Sequence, residues 1–350
     1  MQTLTVGLLG FGLSGRYFHA PIIESVEGLR VGAILVRNEE AGSFAAVHYP
    51  RAARFETAET LIHESGVDLV VIAVPNHLHR SLAVTALEAG KHVILEKPFT
   101  VTSEDARELA ELAKARNLVL SVYHNRRWDG DFRTLGKIID SGMLGDIAEF
   151  ESHFDRFRPD LRPGAWKEKK GEGTGLLYDL GSHLIDQALT LFGKPRALYA
   201  DTRIQRERGE EIDSFEVLLF YENLKVTLKA GSLVRIPFPR FTLLGTRGTY
   251  TKYGLDPQEA ALRSGKIPKQ CADWGEENES SYGTIHTTHQ GVDIKGTVKT
   301  LPGNYCAYYE KVYRAVVMKE PAPVTADQGI TVIEMIEKAL ESARLNKVIC

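Results

Sequence analysis

Cysteine is scarce in this 350-residue sequence, and it contains no long hydrophobic run. The three cysteines, Cys271, Cys306 and Cys350, are far apart and form no CxxC pair. This spacing argues against a disulfide framework and a cysteine-based zinc site, and it suits a reducing compartment. Apolar runs such as Leu69–Pro75 are far shorter than the ~20 residues that span a bilayer. Since the amino terminus also lacks the features of a signal peptide, the sequence predicts a cytoplasmic protein.

An excess of charge of either sign is also missing. Lys and Arg number 43 and Asp and Glu number 46, which gives a formal net charge of −3. Because non-specific binding to a phosphate backbone needs concentrated positive charge, nucleic acid is not an expected partner. Hydrophobic residues make up 43% of the chain, as in ordinary globular proteins. The length predicts two domains.

The first 123 residues alternate short apolar runs with helix-like segments. The predicted strands are Leu4–Leu9, Leu29–Val36, Leu69–Val74, His92–Leu95 and Val119–Val122. They lack polar alternation, as expected for strands buried on both faces of a parallel sheet. Asn76 is a candidate cap for a helix that ends before Gly90, and Thr102 with Asp105 resembles a capping box. Residues 1–123 are therefore predicted to form a doubly wound α/β domain of the Rossmann type.

Residues 124–350 show a different pattern, with clustered strands and fewer crossovers. The predicted elements are helices over Phe132–Ser141, Asp179–Phe192 and Gln328–Leu345, and strands over Ile147–Asp155, Ala197–Arg203, Phe215–Tyr221, Lys225–Leu233 and Phe241–Leu244. Tyr221 to Leu224 is typical of a hairpin turn, and Cys271–Gly296 is expected to form loops or a short hairpin. The pattern predicts an α+β domain with an open, largely antiparallel sheet, and its terminal helix is free to pack on either domain.

A glycine-rich turn follows the first predicted strand directly. Gly10, Gly12 and Gly15 form a GxGxxG pattern that also contains Leu13 and Ser14. In dinucleotide-binding units the first glycine allows a tight turn, the second admits a pyrophosphate, and the third lets the helix lie close to the strand. The context therefore predicts a bound dinucleotide.

The end of the second strand predicts which dinucleotide is bound. NAD-binding units usually carry an acidic residue there for the ribose 2′-hydroxyl. This sequence has Arg37 and Asn38 instead, with Glu39 and Glu40 close behind. A guanidinium at this point favours NADP, although Arg37 as a solvated turn residue and NAD as cofactor stay open.

Three further motifs carry groups suited to catalysis. Lys97 follows the strand His92–Leu95, and ligands of open α/β sheets bind beyond the carboxyl ends of the strands. Asp179 and His183 are four residues apart on a predicted helix, a pairing suited to general acid–base chemistry. The segment from Tyr123 to Trp128 is rich in polar and aromatic groups and is either a substrate wall or a hinge.

These motifs together resemble the Gfo/Idh/MocA oxidoreductase family over essentially the whole chain. The resemblance is carried by the glycine turn, by Val74 to His79, by Glu96 to Phe99 and by Asp179 to His183. The stretches from Ser121 to Trp128, Tyr178 to Gln187 and Lys252 to Glu259 look especially like the branch that contains NADP-dependent scyllo-inositol dehydrogenases.

The resemblance implies roles for individual residues. Lys97, Asp179 and His183 match the catalytic positions of the family. The residues expected to bind cofactor are Gly10, Gly12, Leu13, Ser14, Gly15, Arg37, Pro75, Asn76, His79, Glu96 and Lys97. Candidate substrate-binding residues are Tyr123, Asn125, Arg127, Trp128 and Tyr178. No metal is expected, since His77 and His79 have no third ligand nearby in the sequence.

The expected reaction is hydride transfer between NADP(H) and a secondary alcohol or ketone of a cyclitol or sugar. Two other classes of function stay open: a non-catalytic regulator that senses a dinucleotide or sugar, and an imine or enone reductase. The predicted strands after Ala197 carry large apolar side chains on both faces, and the family commonly associates through such a sheet. A homo-oligomer, most simply a dimer, is therefore predicted.

Overall fold

The computed structural model describes residues 2–350, which form two compact units. The first unit consists of the chain up to Asn125 with Gln258–Trp274 and Asn304–Thr331, and the second of Arg126–Pro257, Gly275–Gly303 and Val332–Cys350. Two late segments of the chain thus belong to the first unit. The predicted boundary between residues 123 and 124 places both segments in the second domain. A sequence pattern identifies elements, but it does not show in which unit each element packs.

A six-stranded parallel sheet forms the centre of the first unit. Its strands are β1 (Leu4–Leu9), β2 (Leu29–Leu35), β3 (Ala53–Phe55), β4 (Leu69–Ile72), β5 (His92–Leu95) and β6 (Leu120–Val122). The order β3-β2-β1-β4-β5-β6 changes direction beside β1, which is the topology of a doubly wound dinucleotide-binding sheet. The predicted Rossmann fold is confirmed. Strand β3 was not predicted, because this edge strand is three residues long and carries no apolar run.

Ten α-helices accompany the strands within residues 2–350. They are α1 (Ala20–Ile23), α2 (Glu39–His48), α3 (Ala58–Glu64), α4 (His79–Glu88), α5 (Ser103–Ala115), α6 (Gly130–Asp140), α7 (Ser182–Phe192), α8 (Gln258–Arg263), α9 (Cys306–Met318) and α10 (Ala326–Leu345). The predicted cap of α5 is present, since the Thr102 side chain accepts a hydrogen bond from the Asp105 backbone N–H. The start of α4 was predicted wrongly. A 3₁₀ turn over Asn76–Leu78 precedes it, and Pro75 rather than Asn76 occupies the N-cap position of that turn, without a side-chain capping hydrogen bond.

An eight-stranded sheet forms the centre of the second unit. Its strands are β7 (Ile147–His153), β8 (Ala197–Arg203), β9 (Ser214–Phe220), β10 (Lys225–Gly231), β11 (Phe241–Gly245), β12 (Gly248–Lys252), β13 (Gly283–His289) and β14 (Val292–Val298). The order is β14-β13-β12-β11-β7-β10-β9-β8, and every neighbouring pair is antiparallel except β7 with β10. The predicted α+β architecture with a largely antiparallel sheet is confirmed.

Sequence patterns predicted some elements of the second half incompletely and others not at all. The turn between β9 and β10 is the predicted hairpin, in which the Tyr221 N–H donates to the Leu224 carbonyl at 3.0 Å. The polar stretch expected to hold loops or a short hairpin contains a hairpin of β13 and most of β14, which is longer than expected, with seven residue pairs. Strand β12 and helix α9 were not predicted. Both lie between segments whose sequence patterns are clearer. Burial stabilises them, as the enclosed side chains of Tyr250 and Tyr309 show.

Within residues 2–350, no helix is long and apolar enough to cross a membrane.

Candidate active site

The glycine turn after β1 has the geometry of a dinucleotide cradle. Gly10 has a φ of +107°, and a Cβ there would overlap the Ala73 carbonyl; a Cβ at Gly15 would overlap the Gly10 carbonyl. Both glycines are thus required by the fold itself. A Cβ at Gly12 would meet no protein atom within 4 Å. The backbone at Gly12 is therefore open for a group to lie directly on it, so the turn fits the pyrophosphate of a dinucleotide.

The turn leads into a π-helical segment over Ser14–His19, which α1 continues. Helical N–H groups at such a turn are suited to phosphate oxygens. Leu13, just before the segment, is 50% exposed. The Ser14 hydroxyl points to Glu96 and donates a hydrogen bond to its Oε1. Ser14 therefore connects the glycine turn to the motif that contains Lys97.

Glu96, Lys97 and Pro98 follow β5 at the carboxyl edge of the sheet. The Lys97–Pro98 peptide bond is cis. The Glu96 Oε2 accepts a hydrogen bond from the Lys97 backbone N–H at 2.9 Å, and Oε1 lies 3.1 Å from the buried His19 Nε2. Burial alone would raise the pKa of Glu96, but the hydrogen bond and charge of His19, the charge of Lys97 and the Ser14 hydroxyl together lower it to about 2. Glu96 is therefore an ionised carboxylate that fixes the backbone of Lys97.

His79, at the start of α4, lies inside the protein. Its Nδ1 is 3.0 Å from the Pro98 carbonyl, and its Nε2 is 3.1 Å from the Val74 carbonyl. Burial lowers the pKa of His79, although the surrounding carbonyls and the charge of Glu96 act in the opposite direction. The ring connects the loop after β4, which carries Pro75 and the buried Asn76, to the loop after Lys97.

A cavity of about 950 Å³ opens beside the end of β2. Its lining includes Arg37 and the backbone around the start of α2, where the Asn38 side chain caps the helix. Arg54, on the neighbouring edge strand β3, faces the same cavity, together with Glu39 and Glu56. Arg54 was not among the predicted cofactor-binding residues, because β3 was not predicted. Within residues 2–350, neither arginine forms an ion pair.

Asp179 and His183 belong to one helical stretch of the second unit. Asp179 lies in a π-helical segment over Leu177–Gly181, and His183, 5% exposed, follows in the first turn of α7. π-helical turns occur frequently at functional sites. Tyr178 is buried, and this burial, with smaller contributions from nearby carboxylates, raises its pKa to about 12. Asp179 is held by two cations: Lys167 Nζ lies 2.6 Å from Oδ1, and an Arg156 guanidinium nitrogen lies 3.8 Å from Oδ2.

The residues between Tyr123 and Trp128 have individual surroundings. Tyr123 is buried in the first unit, where its hydroxyl donates to the Phe18 carbonyl at 2.8 Å. Arg127 forms a two-point ion pair with the buried Asp186 in the second unit, with N–O distances of 2.9 and 2.6 Å. Both Tyr123 and Arg127 therefore have structural partners. Asn125 and Trp128 lie in a 3₁₀ turn and are half-buried.

The first unit thus collects the predicted cofactor residues at one edge of its sheet. Strand ends Leu9, Ile72 and Leu95 are neighbours in register, so the segments that follow them lie side by side. The second unit holds Tyr178, Asp179 and His183. His19, Arg54 and Lys167 join these groups although no motif contained them, and no sequence signal pointed to Arg54 or Lys167, since neither residue directly follows a predicted strand. Among residues 2–350, no cluster of His, Cys, Asp and Glu could hold a metal ion.

The fold and these groups define a two-domain dinucleotide-binding protein, and comparison with known proteins specifies its family. The oxidoreductase family model for the NAD-binding Rossmann fold matches residues 4–124, and that for the C-terminal alpha/beta domain matches residues 137–350. The chain belongs to the Gfo/Idh/MocA oxidoreductase family and is an NAD(P)-dependent dehydrogenase.

Similar proteins cover the chain from end to end. It is 39% identical to the scyllo-inositol 2-dehydrogenase (NADP(+)) IolW of Bacillus subtilis, with 100% of this chain and 96% of that protein aligned. It is 41% identical to the uncharacterized oxidoreductase YdgJ of Escherichia coli, over 100% and 99% of the two chains. The solved structure of yvaA from Bacillus subtilis has a TM-score of 0.95 at 38% identity, and covers 99% of this chain and 98% of that one.

Proposed function

We propose that this dehydrogenase transfers a hydride between NADP(H) and a secondary alcohol or ketone of a cyclitol or sugar, such as scyllo-inositol. The observation that carries the proposal is the glycine cradle left open at Gly12, in a chain that retains Lys97, Asp179 and His183. The full-length similarity to an NADP-dependent scyllo-inositol 2-dehydrogenase supports the substrate class.

The chain's own residues supply proton transfer and charge stabilisation. His183 takes the hydroxyl proton of the substrate as general base and returns it when a ketone is reduced. Lys97 donates a hydrogen bond to the same oxygen and stabilises the negative charge that develops there. Asp179 accepts a hydrogen bond from a substrate hydroxyl and so orients the ring. The nicotinamide, when bound, accepts or donates the hydride, and no metal is required.

The preference for NADP is proposed to depend on Arg37, with Arg54 as a second contributor. Both line the 950 Å³ cavity at the end of β2, where the 2′-phosphate of NADP would lie. A guanidinium binds phosphate through two charge-assisted hydrogen bonds, and neither arginine is occupied by a carboxylate within the described residues 2–350. Glu39 and Glu56 line the same cavity and would oppose the phosphate, which limits the expected selectivity.

A screen of inositols, pyranoses and their keto forms with both nicotinamide cofactors tests the proposal. The expected result is NADP-dependent oxidation of a cyclitol or sugar, with product analysis showing a ketone. The matched controls are Lys97→Met and His183→Ala, which should bind cofactor and turn over poorly. A protein that binds cofactor but oxidises no polyol would favour a regulator, and reduction of an imine or enone would identify a different chemistry.

A further inference from the structure

A group of charged side chains surrounds the proposed catalytic carboxylate in the second unit. It borders a cavity of about 30 Å³, the size of about one water molecule. Its charged lining includes Arg156, Lys167, Glu168, Asp179, Arg206 and Asp213. Most of the cations come from the segment between β7 and the π-helical turn, which contains little regular structure. This segment therefore contributes most of the positive charge around the cavity beside Asp179.

Lys167 contacts Asp179 directly. Its Nζ donates to Oδ1 at 2.6 Å, while the nearest Arg156 nitrogen lies 3.8 Å from Oδ2. Asp179 is 19% exposed, so this charge-assisted hydrogen bond is partly shielded from water. The two cations hold different oxygens of one carboxylate and thereby fix its rotation.

Lys167 is itself held in place by its neighbours in the chain. It lies in a 3₁₀ turn over Trp166–Glu168, and its Nζ is 5.6 Å from the centre of the Trp166 ring. Glu168 accepts hydrogen bonds from the Arg162 backbone N–H at 3.0 Å and from its Nε at 3.1 Å. Burial would raise the pKa of Glu168, but these bonds and the charge of Arg206 lower it overall.

Arg206 anchors this turn to the sheet. Its side chain is 6% exposed and lies 3.0 Å from an Asp213 oxygen and 3.4 Å from a Glu168 oxygen. Ion pairs therefore connect Asp213, just before β9, through Arg206 to Glu168 in the turn, and the preceding residue, Lys167, pairs with Asp179. These contacts fix the turn that carries Lys167. Less entropy is therefore lost when the lysine side chain pairs with Asp179.

We propose that Lys167 is a positioning residue of the reaction, which holds Asp179 as an oriented carboxylate that can accept a substrate hydrogen bond. Proton exchange with the substrate is then left to His183, because a carboxylate paired with an ammonium group is a poor proton acceptor. This inference rests on the proposed function, in which Asp179 orients a substrate hydroxyl.

The test compares Lys167→Met, Lys167→Arg and the control Lys169→Met. Lys169 is exposed in the same segment, and its replacement removes the same charge without touching Asp179. Lys167→Met should lower kcat by about 10–100-fold, as expected for loss of one hydrogen bond to a charged group. Lys167→Arg should recover most of this loss, and cofactor affinity and melting temperature should match those of Lys169→Met.

Chemical rescue separates positioning from a purely structural role. Lys167 is 36% exposed, so methylammonium can reach the space left in Lys167→Ala and should restore turnover in a concentration-dependent way. The proposal is overturned if Lys167→Met turns over within twofold of Lys169→Met. It is also overturned if its loss comes with a lower melting temperature and responds neither to arginine nor to methylammonium.

A readout without turnover keeps this test independent of the proposed function. In protein labelled with ¹³C at aspartate carboxyl carbons, the Asp179 signal should titrate at higher pH in Lys167→Met than in Lys169→Met, because the ammonium group that donates a hydrogen bond to its Oδ1 is gone. An unchanged titration overturns the inference. Failure of the wild type to oxidise any polyol, with the titration shifted, overturns the proposed function alone.

Discussion

Replacing Glu96 by glutamine removes a buried negative charge while keeping the shape of the side chain. The carboxylate is 14% exposed and contacts three partners from different parts of the first unit. Oε1 accepts from the Ser14 hydroxyl and lies 3.1 Å from His19 Nε2, and Oε2 accepts from the Lys97 backbone N–H at 2.9 Å. Glutamine can still accept one hydrogen bond, but it cannot pair with the positive charges around it.

The size of the effect follows from the pKa of Glu96. Burial opposes ionisation, but His19, Lys97 and Ser14 lower the pKa from 4.5 to about 2. At about 1.4 kcal/mol per pKa unit, the ionised form contributes about 3.5 kcal/mol to the free energy of unfolding at neutral pH. Because the folded pKa is the lower one, this contribution is complete well above pH 4.5 and is lost as the pH falls toward 2. Linkage gives a loss of about 1.4 kcal/mol between pH 7 and pH 3.5.

Urea unfolding of wild type and Glu96→Gln at several pH values between 7 and 3.5 measures this contribution. Hydrogen exchange of peptides that cover β5 should accompany it, because a chain with two compact units need not unfold in one step. The wild type should be more stable at pH 7, and its advantage should narrow as the pH falls. Glu111→Gln, on the exposed face of α5, should show no comparable narrowing.

The opposite pH dependence would refute this reasoning. A stability difference that stays constant or widens between pH 7 and pH 3.5 would mean that the carboxylate is not preferentially ionised in the folded protein. The role of Glu96 in fixing Lys97 would then need another physical basis.

The remaining predictions concern catalysis, cofactor choice and assembly. Lys97→Met or His183→Ala should reduce kcat on the true substrate by about 100-fold or more with little change in cofactor affinity, and near-normal turnover would remove that residue from the mechanism. Arg37→Ala should weaken NADP(H) binding by about 10–150-fold in titrations and leave NADH binding nearly unchanged, with Arg54→Ala giving a smaller loss; equal losses for both cofactors would contradict the assignment. Leu218 lies half-buried on the face of β9 opposite to the enclosed Phe215. Leu218→Glu should therefore dissociate the predicted homo-oligomer in sedimentation experiments. A monomeric wild type would exclude that oligomer.

Local sequence patterns were sufficient for the fold of the first unit. Continuous apolar runs marked five of its six strands, and the glycines of the turn were recognisable because two of them are required by backbone sterics. The short strand β3 was not recognisable, since its three residues are exposed or half-buried and form their strand through pairing with β2. With β3 missed, the position of Arg54 beside Arg37 was missed as well.

The sequence by itself determined the family, the two sheets and the identity of the groups able to do chemistry, because glycine spacing, apolar periodicity and short motifs act within a few residues along the chain. Only the tertiary structure decided which partners those groups have. Lys167 contacts Asp179 across twelve residues, and Ser14 contacts Glu96 across 82. Such contacts depend on where separate elements pack, and packing depends on the burial and pairing of the whole unit, which no local pattern encodes.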